Sequence, residues 1–209
     1  MKTKKNVVVD FARQYLAGLQ RVIERVNVAQ VAGLIRDLQQ AYDADQQIFI
    51  IGNGGSAGTA SHMACDLAKT VLGKLPNKTK KRFRVMSMTD NTPLITALSN
   101  DLGFDHVFTE QLKLFARRGD LLVVISGSGN SPNLLRALEL AREMELKTTG
   151  LLGFDGGRAL KLLDSAVLIP DFSYGYVEDL HMVMDHLITA YFCKEFAVAK
   201  PNTKRRAKK

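Results

Sequence analysis

A histidine and an aspartate, His62 and Asp66, lie four residues apart just after a glycine-rich stretch. On a helix this spacing puts both side chains on one face. An imidazole and a carboxylate together can transfer a proton or bind a divalent cation. Without further context, such a pair is also an ordinary polar contact of a helix, so the surrounding sequence decides between these interpretations.

The residues before this pair have the pattern of an anion-binding turn. Ile48–Ile51 is a short apolar run that predicts a buried strand, and Gly52-Asn-Gly-Gly-Ser-Ala57 follows it. Ser56 is a good N-cap residue, which predicts that a helix starts there. The free N–H groups at a helix start bind anions, and glycines let a ligand approach the backbone. We call Gly52–Ser56 the first loop; Asn53, Gly54 and Gly55 are candidate substrate contacts within it.

A second stretch, Ile125-Ser-Gly-Ser-Gly-Asn-Ser-Pro-Asn133, repeats this arrangement. A buried strand ends at Ser126, and Pro132 stands where a helix begins. Serine hydroxyls and helix-start N–H groups could together bind phosphate oxygens. Alone, such a loop is more often simple turn chemistry. Two such loops at the carboxyl ends of parallel strands would meet over one crevice. We call Ser126–Asn133 the second loop.

Two other phosphate-binding motifs fit less well. The first loop matches a loose dinucleotide-binding pattern, but the next strand ends near Met88 without an acidic residue at the expected spacing. The P-loop pattern fails because no Gly-Lys-Ser or Gly-Lys-Thr follows.

Alternating strands and helices must position these loops. Val7 to Ala41 has a helical pattern with an interruption from Val26 to Gln30, which predicts two N-terminal helices. Beyond them, apolar strands alternate with helices, so the prediction is an α/β fold with a doubly wound parallel sheet of five strands. The predicted strands are 48–51, 83–88, 121–126, 148–152 and 166–170. The predicted helices are 56–72, 92–98, 108–117, 131–144, 156–163 and 177–197.

Composition and charge limit the functional classes. With 209 residues and 46% hydrophobic content, the chain is long enough for one full domain. The net charge of +8 depends on two segments, 74–84 and 200–209, each with six basic residues and no acid; without these twelve charges the remainder carries −4. A disordered tail and an exposed loop explain this pattern, and a weak nucleic-acid contact by the tail is the alternative. Neither a membrane span nor a secretory signal is expected, and the predicted location is cytoplasmic.

Five motifs, in order, make the chain resemble the SIS (sugar isomerase) domain family, and within it the phosphoheptose isomerase branch. The resemblance extends from about residue 7 to residue 197. The motifs are Gly52-Asn-Gly-Gly-Ser-Ala57, Asn100-Asp-Leu-Gly-Phe104, Gly119-Asp-Leu-Leu-Val-Val-Ile-Ser-Gly-Ser-Gly-Asn-Ser-Pro-Asn133, Gly153-Phe-Asp-Gly-Gly157 and Val177-Glu-Asp-Leu-His-Met182.

The resemblance implies a flavodoxin-like SIS domain over 46–198, with N-terminal helices (1–45) that pack on it or in an oligomer interface and a basic disordered tail (199–209). It also implies a homotetramer with active sites between subunits. The implied reaction converts sedoheptulose 7-phosphate to D-glycero-D-manno-heptose 7-phosphate. The resemblance assigns the roles of base and acid to Asp66 and His186. It implies that zinc is bound by four residues: His62, Asp66, Glu178 and His186. It also implies a larger set of substrate contacts: Asn53, Gly54, Gly55, Ser56, Asp90, Asn91, Ser126, Gly127, Ser128, Ser131 and Glu178.

The chain departs from the family pattern at several of these positions. Asp66 stands where the family has glutamate, and Glu178 stands where it has a glutamine metal ligand. Gly127 replaces a threonine of the second loop. Asn91 takes the place of an aspartate, with Asp90 one position away. These changes bear on the substrate more than on the fold.

The implied chemistry is the transfer of a proton between adjacent carbons through an enediol. It needs a base and an acid, and Zn²⁺ or another divalent metal would stabilise the enediolate. Glu178 and His186 are eight residues apart, about 12 Å along a helix. For both to bind one ion, the helix start must unwind or the ligands must come from different subunits. His181, one turn from Glu178, is a further candidate.

Two other functions stay open from the sequence. One is a non-catalytic SIS module that senses a sugar phosphate or binds a partner, which the basic tail favours. The other is a different sugar-phosphate enzyme, such as an epimerase or a ketohexose-phosphate isomerase.

Overall fold

The computed structural model describes residues 4–73 and 81–198. Its centre is a sheet of five parallel strands in the order β2-β1-β3-β4-β5. This order is that of a doubly wound, flavodoxin-like sheet, which confirms the predicted fold class. The strands are β1 (Gln47–Gly52), β2 (Arg84–Ser87), β3 (Leu121–Ser126), β4 (Lys147–Gly153) and β5 (Ser165–Ile169).

Helices cover both faces of the sheet. They are α1 (Lys4–Ile23), α2 (Val28–Asp43), α3 (Gly55–Ala68), α4 (Thr92–Leu102), α5 (Val107–Phe115), α6 (Pro132–Glu143) and α7 (Tyr174–Val198). Strand side chains alternate between the faces: Ile48 and Ile50 pack with α2, α3 and α7, whereas Phe49 and Ile51 pack with α5 and α6. Because both faces are buried, the strands read as continuous apolar runs rather than alternating ones.

The two N-terminal helices take different positions. Asn27 caps α2 by accepting a hydrogen bond from the Ala29 amide at 3.0 Å, which confirms the predicted interruption. Helix α2 belongs to the core through Leu34 and Leu38, which are almost fully buried. Helix α1 packs against the start of α7, where the Tyr15 hydroxyl donates to Asp179 at 2.7 Å. The other side of α1 exposes apolar side chains: Val7, Val8, Phe11 and Leu16.

Two predicted helices are shorter in the structure. The helix expected over 156–163 is a single 3-10 turn, Ala159–Lys161, because Gly156 and Gly157 both adopt positive φ angles of 83° and 53° and cannot start a helix. The helix expected over 56–72 begins at Gly55 and ends at Ala68, followed by a 3-10 turn. The basic tail and residues 74–80 of the basic loop lie outside the described residues.

None of the helices within 4–73 and 81–198 is both long and apolar enough to cross a membrane.

Candidate active site

The two loops meet where the strand order reverses. β1 and β3 are neighbours in register, with Gly52 opposite Ile125, so both loops leave the same edge of the sheet. The side chains of Asn53 and Asn133 join them through two reciprocal amide hydrogen bonds, each 2.9 Å long. Asn133 is buried, so this pair is shielded from water and sets the distance between the loops.

A cavity of about 260 Å³ lies between the two loops. Nine of the predicted site residues line it: Asn53, Gly54, Gly55, Ser56, Ser126, Gly127, Ser128, Ser131 and Glu178. Two helices, α3 and α6, begin at this cavity, and neither has a side-chain cap, whereas Asn27 and Asn91 cap α2 and α4. Uncapped helix starts present N–H groups and the positive end of the helix dipole, and both favour an anion such as phosphate.

The serines of the second loop differ in what they do. The Ser126 hydroxyl accepts from the Gly129 amide at 3.0 Å, and the Ser128 hydroxyl accepts from the Asn130 amide at 3.3 Å; both bonds shape the loop. Ser131 is the N-cap residue of α6, yet its side chain makes no capping bond. Its hydroxyl is therefore the one best placed to bind a ligand.

Gly127 is matched to an aromatic neighbour. A Cβ atom on Gly127 would lie 3.0 Å from Cε1 of Tyr174, which also lines the cavity. A threonine here would force Tyr174 to move. The glycine in place of the family's threonine thus leaves room for this ring.

Glu178 belongs to the cavity. A Cβ atom on Gly55 would lie only 2.8 Å from Oε2 of Glu178, so the carboxylate packs against the first turn of α3. The positive end of the helix dipole stabilises a carboxylate at this place.

A second group of polar side chains lies farther along the same two helices. His62 and Asp66 on α3 face Asp185 and His186 on α7, with one candidate ligand atom of each residue within 4.8 Å of the others. From His62 Nε2 the distances are 3.2 Å to His186 Nε2, 3.7 Å to Asp66 Oδ2 and 3.9 Å to Asp185 Oδ2. The other oxygen of Asp66 accepts from Thr70 at 2.8 Å. We call these four residues the histidine–aspartate cluster.

The donor types and spacings of the cluster suit a metal ion. In a tetrahedral site with bonds of about 2.0–2.2 Å, neighbouring ligand atoms lie about 3.3–3.5 Å apart. The separations of 3.2, 3.7 and 3.9 Å are close to that value. Nitrogen and oxygen donors also suit zinc and other divalent transition metals. The donor types and the separations in the cluster therefore both fit a divalent metal ion.

Asp185 is the most unusual member of the cluster. It is 0% exposed, and neither of its side-chain oxygens has a hydrogen-bond partner within the described part of the chain. Burial, reinforced by the negative charge of Asp66 and opposed by His62 and by the nearby Thr189 hydroxyl, raises the pKa of Asp185 to about 7. A buried carboxylate without partners is costly unless a cation or a proton compensates it.

The structure places Glu178 outside this cluster. Helices α3 and α7 run in parallel, since their contacts advance together: Gly55 lies against Glu178, His62 faces Asp185, and Thr70 accepts a hydrogen bond from Cys193. Glu178 thus contacts α3 at Gly55, which lies seven residues before His62 and about 10 Å from it along the helix. Within one chain, the four predicted metal ligands do not come together; three do, and Asp185 joins them.

Sequence reasoning missed Asp185. The available signal was a carboxyl group in an apolar stretch of helix, between Met182-Val-Met184 and Leu187-Ile188, next to a candidate histidine. A charged residue in such a position needs a partner on another element.

Asp90 and Asn91 have local partners at the end of β2. Asn91 caps α4 by accepting from the Leu94 amide at 3.1 Å, and Asp90 accepts a short hydrogen bond from the Ser61 hydroxyl. Neither residue lines the cavity between the two loops. Their predicted contact with substrate stays a prediction.

His181 is a buried histidine on α7 between Glu178 and the cluster. It is 0% exposed, and its ring nitrogens make no hydrogen bond of good geometry within the described residues. Burial lowers its pKa to about 4, although the nearby Leu152 carbonyl opposes the shift. The ring is therefore neutral in the folded protein at pH 7.

Comparison with known proteins agrees with this geometry. The sequence model of the SIS domain matches residues 10–153. The phosphoheptose isomerase of Pelobacter propionicus is 35% identical over 158 residues, which are 76% of this chain and 81% of that protein. The phosphoheptose isomerase of Geobacter sulfurreducens is 33% identical over 184 residues, 87% of this chain and 95% of that protein. The chain belongs to the SIS domain family.

A solved structure supports the assignment within the family. The phosphoheptose isomerase GmhA from Neisseria gonorrhoeae superposes with a TM-score of 0.78 at 29% identity, and the match covers 91% of this chain and 98% of that one. Together with the sequence relatives, this match places the chain in the phosphoheptose isomerase branch, which confirms the predicted resemblance.

The amide pair between the loops gives a first prediction. Asn133→Ala leaves the Asn53 amide without its buried partner, so we expect a loss of about 1–3 kcal/mol in the free energy of unfolding. Asn53→Ala should give a similar loss, and the double variant should lose less than the sum of the two. Urea unfolding of all four proteins measures the coupling. Strictly additive losses would show that the pair does not join the loops.

His181 gives a second prediction, on pH. Its pKa is about 4 in the folded protein and about 6.5 in the unfolded chain, so between these values only the unfolded chain binds a proton. Stability must therefore fall as pH drops from 7 to 4, by about 3 kcal/mol from this group. His181→Leu removes the group at similar volume. In urea unfolding with chelator present, the variant should lose about 3 kcal/mol less than the wild type over this range. An equal loss in both proteins contradicts the neutral buried histidine.

Proposed function

We propose that this protein is a phosphoheptose isomerase that converts sedoheptulose 7-phosphate to D-glycero-D-manno-heptose 7-phosphate through an enediol. The observation that carries the proposal is one arrangement: an anion-binding cavity between two uncapped helix starts, and a histidine–aspartate cluster on the same helix α3. The relatives in the phosphoheptose isomerase branch support the same reaction.

In this proposal the second loop binds the phosphate. The backbone at Gly127, the start of α6 and the hydroxyls of Ser126, Ser128 and Ser131 surround that end of the cavity. Asn53, Gly54, Gly55 and Ser56 then face the sugar hydroxyls from the opposite loop. Glu178, which lines the same cavity, would accept hydrogen bonds from hydroxyls.

The distance between cavity and cluster suits a long sugar. Glu178 and the cluster lie about 10 Å apart along α7. An extended chain spans about 1.2 Å per bond, so seven bonds from the carbonyl carbon of a ketoheptose to its phosphorus span about 8 Å. The reach of a heptose phosphate is thus of the same order as the separation between Glu178 and the cluster, whereas a triose phosphate is much shorter.

The proton transfer falls to Asp66 and His186. Asp66 acts as the base that takes the proton from carbon, and His186 acts as the acid that serves the oxygens. Thr70 donates to one oxygen of Asp66 at 2.8 Å, which orients the carboxylate. Aspartate in place of the family's glutamate shortens the side chain by one methylene, so the substrate must approach α3 more closely.

His62, Asp66 and His186 would hold a divalent metal, zinc in the first place, with other divalent metals as alternatives. When bound, the ion would polarise the carbonyl and stabilise the enediolate. Glu178, the fourth ligand implied by the resemblance, could serve only if it came from another subunit or if its helix start moved.

A homotetramer with active sites between subunits is part of the proposal. Apolar side chains support it: Val183, Leu187 and Tyr191 recur every four residues on the outer side of α7, close to His186, and are about 40% exposed in the single chain. Together with the exposed side of α1, they form the kind of surface that oligomers bury. A monomer mass in light scattering would contradict this part. A cytoplasmic location and a weak nucleic-acid contact by the tail stay predictions from the sequence.

The reaction itself is tested with purified protein and sedoheptulose 7-phosphate. We expect turnover, its loss in chelator and its return with Zn²⁺. Asp66→Asn should lower kcat at least about 100-fold because it removes the base. Cys65→Ser, at the exposed neighbouring position, is the matched control and should keep wild-type turnover. Absence of turnover even with added Zn²⁺ would favour the non-catalytic SIS module or an enzyme for another sugar phosphate.

The phosphate end is tested at Ser131. Ser131→Ala removes one hydroxyl from the charged phosphate group, which costs about 1.5–3 kcal/mol of binding. We expect KM to rise about tenfold or more, with kcat changed far less, because this contact is the same in the ground state and the transition state. An unchanged KM would place the phosphate elsewhere.

A further inference from the structure

We propose that Asp185 is a metal ligand in this protein, so that His62, Asp66, Asp185 and His186 form a two-histidine, two-carboxylate site within one chain. The inference rests on the metal site of the proposed function, but it does not depend on which sugar phosphate is isomerised. It replaces Glu178 by Asp185 in the ligand set that the family resemblance implies.

The geometry of the four residues favours a shared ion. They come from two adjacent parallel helices, and Asp185 Oδ2 lies 3.9 Å from His62 Nε2, almost as close as Asp66 Oδ2 at 3.7 Å. All four candidate donor atoms lie within 4.8 Å of one another, so small side-chain movements would let one ion bind them without help from another subunit.

Asp185 is buried without a well-formed partner. Its carboxyl group is fully buried and aimed at His62, yet neither oxygen makes a hydrogen bond of good geometry within 4–73 and 81–198. The buried hydroxyl of Thr189, one turn farther along α7, lies near this carboxyl group, but no hydrogen bond of good geometry joins the two. Folded proteins rarely leave a buried carboxyl group so weakly paired. A bound cation would compensate the carboxylate, and the Thr189 hydroxyl would then be available to orient it, as neighbours of ligands often do.

Glu178 lies away from the cluster. Its carboxylate lies against Gly55, about 10 Å along the helices from the contact between His62 and Asp185. There it lines the cavity between the loops, where the proposed substrate would bind. In this proposal the chain uses Glu178 at the cavity and Asp185 at the metal, whereas the family pattern has a single glutamine ligand at the position of Glu178.

The donor set indicates the class of cation. Two imidazole nitrogens and two carboxylate oxygens favour a divalent transition metal over Mg²⁺ or Ca²⁺, which prefer oxygen donors alone. The two negative charges of the carboxylates balance the charge of a divalent ion, so the occupied site would be neutral within the buried interface of α3 and α7.

The test measures metal binding directly. Metal-free full-length protein is prepared with chelator and titrated with Zn²⁺ against a competing chromophoric chelator. The proteins compared are the wild type, Asp185→Asn and the control Glu178→Ala, which removes the other candidate carboxylate and leaves no donor atom in its place. We expect one Zn²⁺ per chain in the wild type, an affinity at least about 100-fold weaker in Asp185→Asn, and an affinity within about twofold of the wild type in Glu178→Ala.

Two further measurements guard against a folding defect. Circular dichroism of the metal-free proteins reports whether Asp185→Asn folds, and the rise of Tm on adding Zn²⁺ should be large in the wild type and Glu178→Ala but small in Asp185→Asn. Should Asp185→Asn fail to fold, Asp185→Glu keeps a carboxylate donor on a longer side chain, and its Zn²⁺ affinity should be weaker than that of both the wild type and Glu178→Ala. The visible spectrum of the Co²⁺ form should change in either Asp185 variant and not in Glu178→Ala.

The possible results distinguish a failure of the metal-site inference from a failure of the proposed reaction. Wild-type affinity in folded Asp185→Asn or in Asp185→Glu, or an equal loss in Glu178→Ala, overturns the inference. Normal Zn²⁺ binding with this pattern but no turnover of sedoheptulose 7-phosphate rejects the proposed reaction and leaves the metal site standing. Turnover without Zn²⁺ binding by the wild type rejects the metal site alone.

Discussion

The parallel packing of α3 against α7 is the constraint on which both halves of the site depend. The two helices stay in register over three contacts, at Gly55, His62 and Thr70 of the α3 side. This register puts a carboxylate at the cavity and another beside the histidines, about 10 Å apart. Because both sites lie on the same rigid pair of helices, their separation is fixed.

The sheet supplies the other half of the arrangement. At the point where strand order reverses, two loops leave neighbouring strands, and the Asn53–Asn133 pair joins them. The two helices that start there lack side-chain caps, unlike α2 and α4. Leaving both starts uncapped gives up local stability but concentrates N–H groups and positive helix ends on one small cavity.

Three positions where the chain departs from its family become consistent when they are considered with their neighbours. Gly127 leaves room for Tyr174, and Glu178 occupies the space that Gly55 leaves without a side chain. Asp66, shorter than the usual glutamate, lies beside the extra carboxyl group of Asp185. Each change thus involves a contact with α7, the helix that shapes one side of the cavity and half of the cluster.

The sequence alone determined the fold class, the two loops and three members of the cluster. Apolar runs, glycines and helix-start residues act over a few neighbours, so β1, β3 and the starts of α3 and α6 follow from local patterns. The prediction of a helix over 156–163 is wrong because two adjacent glycines adopt positive φ angles. Glycine permits such angles but does not require them, so the sequence alone could not show this. Only the tertiary structure decided which carboxylate joins His62 and His186. Spacing along α7 cannot tell Asp185 from Glu178, since the choice depends on how that helix packs against α3, and packing is set by the whole core.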